Sequence, residues 1–455
     1  MTFQLFKTLN IRKIFNILIA LSFLGFILVR DVFDISVNSY LLVALSVMFF
    51  IINDINLTIA SMVFMIPLYT GVQYVNIYII GITTLFFKNP KDFVFKPVLL
   101  ICTVSILLIE IFSGFTSATL NTTELIRFLF IFILTFIFLP SYNKELNYTV
   151  ILKAYILGVL FTIVVIMWQY LRVYNISDFF SLAIRVGHVA HHFNLEQGHR
   201  VSLDPNLLSI ITVFAICSAL FLNYRQSVYR LYLFSIPILL VFGFLTQSRT
   251  FIFSVVLLFV YYTFASFFKG SVKNVKKAVS SLLVSIILLI STFLIINTLF
   301  PQYIINMTTR FEVDDITNGR TEIFQDYNDF MMDNPKYIPF GVGLLAHRQV
   351  SGLRSVHNGF QQVFVTWGII GCFIVAIIMI NLYKTATLAK KFEPMHLLPI
   401  IMYLFSMQSI QWFSSGGMLL LNIVWFYLIK CLTTEQSHYL SDEASDRFNE
   451  IEKSV

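Results

Sequence analysis

Arginine and histidine gather in a few polar stretches of an otherwise apolar chain: Arg185, His188, His191, His192, His199, Arg200, Arg249, Arg320 and His357. A guanidinium fork binds phosphate or carboxylate through paired N–H donors, and it sheds water more readily than an ammonium. An imidazole exchanges a proton near neutral pH. Anion chemistry is what this set of side chains suggests. The histidine run from His188 to His199 also has the composition of a metal loop, but no helical H-E-x-x-H pair or carboxylate frame accompanies it. Solvated histidines at a membrane interface are the plainer reading.

The elements that must carry these groups are membrane helices. Of 455 residues, 58% are apolar and 12% charged, well below the roughly 25% charged fraction of a soluble domain. Apolar runs recur near 14–30, 38–53, 55–70, 72–88, 97–114, 124–140, 149–172, 204–222, 230–246, 250–268, 278–300, 357–381, 396–413 and 416–431. Each is of the order needed to cross a hydrocarbon core of about 30 Å as a helix, so about 14 spans are expected. The runs do not alternate as the strands of a barrel would. No small-x-small cleavage site follows Val29, and the first run reads as a retained helix.

Positive charge sets the expected orientation. Lys7, Arg12 and Lys13 precede the first span, and an inside start sends Lys88, Lys91, Lys96, Lys144, Lys153, Arg225, Arg230, Lys269, Lys273, Lys276, Lys277, Lys384, Lys390 and Lys391 to the cytoplasmic side. The polar tail 435–455 ends on that side as well, leaving residues 1–434 as one polytopic membrane domain. Arg30, Arg127, Arg172, Arg185, Arg200, Arg249, Arg310, Arg320, Lys336, Arg348 and Arg354 fall on the outer side, where arginine dominates. Any one of them can also be a helix-end anchor among headgroups. The +7 net charge comes mostly from the inner lysines and suits anionic lipid. No module for nucleic acid is expected, since no aromatic-plus-basic soluble segment is present. Cys102, Cys217, Cys372 and Cys431 read as small buried hydrophobes, without metal or disulfide spacing.

Two outer segments are too long for simple connections. The first, about 173–203, ends at Asp204-Pro205-Asn206, where Asp204 is a helix N-cap with Pro205 at the first helical position. The second, about 301–356, holds Ile323, Phe324, Tyr327, Phe330 and Met331 at helical spacing among carboxylates, which predicts an amphipathic helix lying flat on the outer leaflet. Asn334-Pro335 stops that helix, and Phe340-Gly341-Val342-Gly343 makes a tight turn. His357-Asn358-Gly359 then opens the next span.

The run His357-Asn358-Gly359-Phe360, followed by Trp367-Gly368-Ile369-Ile370-Gly371 and preceded by Gly319-Arg320, Asn334-Pro335 and Gly341-Val342-Gly343, resembles the O-antigen ligase and O-antigen polymerase superfamily. Ser248-Arg249 at the outer end of a helix and Arg200 before Asp204 resemble its two other basic positions, so the likeness covers about residues 150 to 430. It implies a GT-C-like membrane enzyme with no metal and no cofactor. Such an enzyme works on the outer face of the bacterial cytoplasmic membrane and moves a glycan from an undecaprenyl-diphosphate donor to an acceptor hydroxyl. The resemblance carries diphosphate binding to Arg200, Arg249 and, with them, Arg320, and makes His357 the base or acceptor-orienting group. A polymerase of O-antigen, capsule or exopolysaccharide, working with a chain-length regulator and a flippase, is the expected activity; a ligase to lipid A core is the alternative.

Elementary chemistry agrees with those roles. A glycosyl diphosphate departs as an anion, which fixed guanidinium groups stabilise, and the attacking hydroxyl gives up a proton that an imidazole can take. Each residue also has a bland reading: His357 as a headgroup or carbonyl ligand, Arg249 as a snorkelling anchor. Asp314, Asp315 and Glu312 read as solvated loop charges. Glu110, deep in the fifth apolar run, is a functional candidate by position. It keeps open a reading of another class, an ion-coupled exporter or lipid-linked oligosaccharide flippase.

Overall fold

Apolar runs without internal charge satisfy their own backbone by coiling, and the computed structural model of the chain is accordingly built of helices. It describes residues 11–434 apart from 72–73, 117–121, 145, 183, 188–203, 226–229, 269–271, 313–318, 345, 355, 388–393 and 414–416. In chain order the helices are α1 (Ile11–Asp31), α2 (Ser39–Ile52), α3 (Ile55–Met65), α4 (Tyr74–Lys88), α5 (Pro97–Thr116), α6 (Thr122–Ile133), α7 (Tyr148–Val173), α8 (Ile176–Ser181) and α9 (Pro205–Arg225). There follow α10 (Arg230–Leu245), α11 (Arg249–Phe268), α12 (Val272–Leu299), α13 (Pro301–Glu312), α14 (Arg320–Asp333), α15 (His347–Ser351), α16 (Gly359–Thr387), α17 (Leu398–Met407) and α18 (Gly417–Thr434). Among the described residues an antiparallel bridge between Phe93 and Tyr142 is the isolated β pairing.

Among the described residues five helices are long and apolar enough to cross a membrane, lying within α1, α7, α9, α11 and α16, and shorter apolar helices stand beside them. This is a multi-pass membrane architecture. Several expected spans are broken helices instead of single rods. The run 55–70 passes from α3 into a 3₁₀ turn at Ile66–Gly71 that contains Pro67, and a π turn at Leu134–Phe138 interrupts the run that α6 begins.

The centre of the bundle is α9, whose span is 89% buried. Ala215, Cys217, Ser218 and Ala219 are all enclosed there, and small side chains let helices approach without a hydrophobic driving force between them. It packs against α7, α10, α11 and α18. Its hydroxyls are spent locally: Thr212 donates to Leu208 O at 2.7 Å and Ser218 to Phe214 O at 2.7 Å. The Tyr155 hydroxyl on α7 donates to Ile211 O at 2.9 Å and ties the two helices.

The two polar ends separate as the charge pattern predicts. At one end Arg12 donates to Ile52 O, Lys88 to Asn53 O at 2.7 Å and Lys96 to the Thr385 hydroxyl at 2.7 Å, while Lys144 pairs with Asp92 at 2.9 Å. At the other end Gln169 donates to Asp31 O at 3.0 Å, and the Tyr170 hydroxyl to Arg185 O at 3.1 Å. The length of α7, 26 residues, puts about 39 Å between them at 1.5 Å per residue. Arg30, buried against Asp31 at 2.6 Å, and Arg172, paired with Asp34 at 2.9 Å, tie the end of α1 into place. For these two the anchoring role is the one observed.

The segment 301–356 departs from expectation. Instead of turning its apolar stripe to lipid, α14 buries Ile323, Tyr327 and Met331 in a small core of their own with Val342, Val356 and Val365, while Phe324 and Met332 stay exposed. The spacing of these residues shows which face is apolar; it does not say what covers that face. Here the cover is protein, supplied by the turn after α14 and the first half of α16.

Candidate functional site

The site is built at the arginine end, where α9, α11, α14 and α16 begin. Asp204 caps α9, its Oδ1 accepting from Asn206 N at 2.8 Å and Leu207 N at 3.3 Å. Asn206 is thereby fixed as a hub: its Oδ1 accepts from an Arg185 guanidinium nitrogen at 2.9 Å and from the Ser248 hydroxyl at 3.1 Å. The Arg185 Nε donates to Thr246 O at 2.7 Å. These bonds pin the turn between α10 and α11 against the start of α9. In that turn Gln247 is held at φ 49, a left-handed conformation uncommon for a side-chain-bearing residue, and strain of this kind concentrates at functional turns. The next residues, Ser248 and Arg249, open α11, so Arg249 projects from a helix N-terminus whose own dipole favours anions.

Arg320 occupies the same position on α14, the first residue after Gly319 at φ 75. Burial lowers its guanidinium below the ordinary arginine value; the charge of Asp204 raises it and that of Arg249 lowers it further. Three groups from three helices, Asp204, Arg249 and Arg320, therefore lie within electrostatic reach. Two guanidinium groups within electrostatic reach of each other, with Arg320 partly stripped of water, favour a multiply charged anion.

His357 stands exposed just before α16. Asn358 caps that helix, its Oδ1 accepting from Phe360 N at 2.9 Å and Gln361 N at 3.1 Å. The entry is bound to α14 twice over: Gln361 donates to Phe324 O at 2.7 Å, one turn from Arg320, and the Tyr327 hydroxyl donates to Arg354 O at 2.6 Å. Gln411 donates to Val356 O from the other side. So α14 joins the Arg320 corner to the His357 corner. His347, by contrast, is buried, with Nδ1 2.6 Å from Leu344 O.

The third part is a re-entrant turn. The expected continuous span 357–381 is broken at Gly368 (φ 65, ψ −168), and residues 338–343 fill the break. Val342 N donates to Val365 O at 2.9 Å and Gly343 N to Thr366 O at 2.8 Å, which satisfies carbonyls of the first half of α16. Ile369 N donates to Ile338 O at 2.9 Å and Ile370 N to Pro339 O at 3.1 Å, which satisfies the amides of the second half. Irregular backbone at membrane depth persists where protein covers it. Glu110 on α5 closes the arrangement: its Oε2 accepts from Leu344 N at 2.7 Å and from Trp367 Nε1 at 3.0 Å. This buried acid supports the turn at residues 338–343.

Of the residues expected to form the site, Arg249 and Arg320 lie within electrostatic reach of each other, His357 precedes a helix bound to α14, and Arg200 lies outside the described residues with His188, His191, His192 and His199. Residue spacing marks Asp204 only as a cap and leaves Arg185 out of the diphosphate set. The signal for Arg185 is its place in the arginine-rich outer group. Gln361 carries none.

Residues 234–376 match the O-antigen ligase family model. Over this stretch the chain is similar to the O-antigen ligase and polymerase superfamily. It contains Arg249, Arg320, His357 and the broken Trp367-Gly368 helix, so the superfamily match and the clustered groups fall on the same stretch. Members are glycosyltransferase-like enzymes, and the family implies a lipid-linked glycan as substrate in a membrane. No curated protein and no solved structure matches the chain.

Proposed function

We propose that this protein is a metal-independent, inverting glycosyltransferase that polymerises lipid-linked repeat units of O-antigen, capsule or exopolysaccharide on the outer face of a bacterial cytoplasmic membrane. The observation that carries this reading is that Arg249 and Arg320, which open two helices inside the matched segment, lie within electrostatic reach of each other and of Asp204. In this reading the two guanidinium groups, with Arg200, hold the diphosphate of an undecaprenyl-linked donor. The acceptor sugar oxygen forms a bond to the anomeric carbon as the bond from that carbon to the diphosphate oxygen breaks. The hydroxyl proton passes to the His357 imidazole, and the bonding pair leaves with the lipid diphosphate, where the cations stabilise it. Both termini are cytoplasmic, residues 1–434 act as one membrane domain, and a flippase and a chain-length regulator are the partners this activity calls for.

The description of the matched family favours a second reading, transfer to a lipid A core sugar. One assay separates the two. Purified protein given only a lipid-diphosphate repeat unit is expected to form ladders longer than a dimer, unchanged by chelator and abolished by His357→Ala while the variant remains inserted and donor-bound. Single transfer confined to added lipid A core would establish the ligase, and a His357→Ala protein that still polymerises would remove His357 as base. Inhibition by chelator that added metal reverses would return attention to the histidine loop.

A further inference from the structure

At the opposite, lysine-rich end an apolar cleft of about 380 Å³ opens between α1, α2, α3 and α7. Its walls include Phe23, Phe49, Leu57, Phe64 and Leu157, and its polar lining residues are Ser46, Ser61 and Lys153. The two serine hydroxyls donate to their own helices, Ser46 to Leu42 O at 2.9 Å and Ser61 to Thr58 O at 2.8 Å. They offer little to a guest. Walls of this kind leave sugar hydroxyls without partners, so a glycan is disfavoured and a hydrocarbon chain is suited.

Charge narrows the occupant. Lys153 is half-buried on the second turn of α7. Phe50, another lining residue, offers its carbonyl to Lys88 at 2.5 Å, and Arg12 donates to Ile52 O two residues further on. Among the described residues Asp54 and Asp92 are acidic groups at this end; the Asp54 Oδ1 caps α3 by accepting from Leu57 N at 2.9 Å, and Asp92 pairs with Lys144 at 2.9 Å. With both carboxylates engaged, Lys153, Lys88 and Arg12 make the rim electropositive.

We propose that this cleft is a binding site for an anionic phospholipid, with one acyl chain along the walls and the phosphate at Lys153. The site is separate from the proposed glycan chemistry and does not depend on it. A compact ammonium at a cleft mouth meets a phosphate as a point charge, and basic residues beside a bilayer select anionic headgroups.

The test uses the full-length protein in detergent, incubated with phosphatidylglycerol or phosphatidylcholine of the same chains and examined by native mass spectrometry. The wild type is expected to retain phosphatidylglycerol preferentially. Lys153→Gln should weaken that retention about fivefold, the scale of one basic residue at a membrane surface, and Lys153→Arg should restore it. Ala20→Phe, which fills the cleft, should reduce retention of both lipids; should that variant fail to fold, the two Lys153 substitutions decide alone. Equal retention of the two lipids, an unaffected Lys153→Gln protein, displacement by undecaprenyl phosphate, or a lipid-free dimer closed across α1 and α3 would each overturn the proposal.

Discussion

Arg249→Lys is expected to lose most transfer activity, roughly a hundredfold or more in turnover, the scale seen when one donor to a developing oxyanion is removed. The charge is kept and the fork is lost. At the head of α11, behind a strained Gln247 and a Ser248 held by Asn206, a guanidinium presents paired donors to a diphosphate, whereas an ammonium presents one mobile point charge. Arg320, at the head of α14, lies within electrostatic reach of it. The measurement is turnover of a lipid-diphosphate donor by Arg249→Lys, with donor binding followed separately. Loss of turnover with retained insertion supports a role in holding the leaving group. Activity within a few-fold of wild type would remove Arg249 from that role, and the convergence of arginines would then be an anchoring feature.

Gly368→Ala is expected to disrupt the 301–356 segment. At φ 65 and ψ −168 the residue lies in a region that side-chain-bearing residues essentially avoid. A Cβ there would also stand 2.4 Å from Pro339 C and O, which are backbone atoms of the re-entrant turn with no flexible end to swing aside. Conformational strain alone amounts to about 1–3 kcal/mol, and the clash adds to it. Gly352→Ala is the control, because Gly352 shares a positive φ of 69 but has nothing within 4 Å of a built Cβ. Glu110→Ala should weaken the same unit by stranding Leu344 N and the Trp367 indole N–H, about 1–3 kcal/mol for each buried donor left unmet. Thermal unfolding and protease sensitivity of the 301–356 segment check both. A Gly368→Ala protein no more sensitive than Gly352→Ala would mean that residues 338–343 do not seat in the break of α16.

The sorting of charge, mostly lysines to one end and mostly arginines to the other, is legible in the amino-acid sequence. So is the order of motifs that leads to the superfamily, because both are properties of residue type and spacing. Asp204 as a cap, Asn334 as a stop and Asn358 as the entry to α16 are equally legible, since each acts on backbone within a turn of itself. Beyond that local range the sequence is silent. The stripe Ile323, Tyr327 and Met331 is visible in it, but the partners Val342, Val356 and Val365 are not. Hydropathy also overstates the continuity of the spans, because an apolar run looks the same whether it coils without interruption or breaks at Gly368 around another stretch of backbone.

The sequence by itself determined a helical membrane chain with a lysine-rich and an arginine-rich end, because hydrophobic runs and charge bias act through the bilayer on each segment separately. Only the tertiary structure decided that Arg249 and Arg320 lie within electrostatic reach of Asp204, and that Glu110, 234 residues away from Leu344, holds the turn that splits α16. Such contacts depend on how helices pack and on which buried donor finds which acceptor. Neither choice is encoded in the spacing of any one segment.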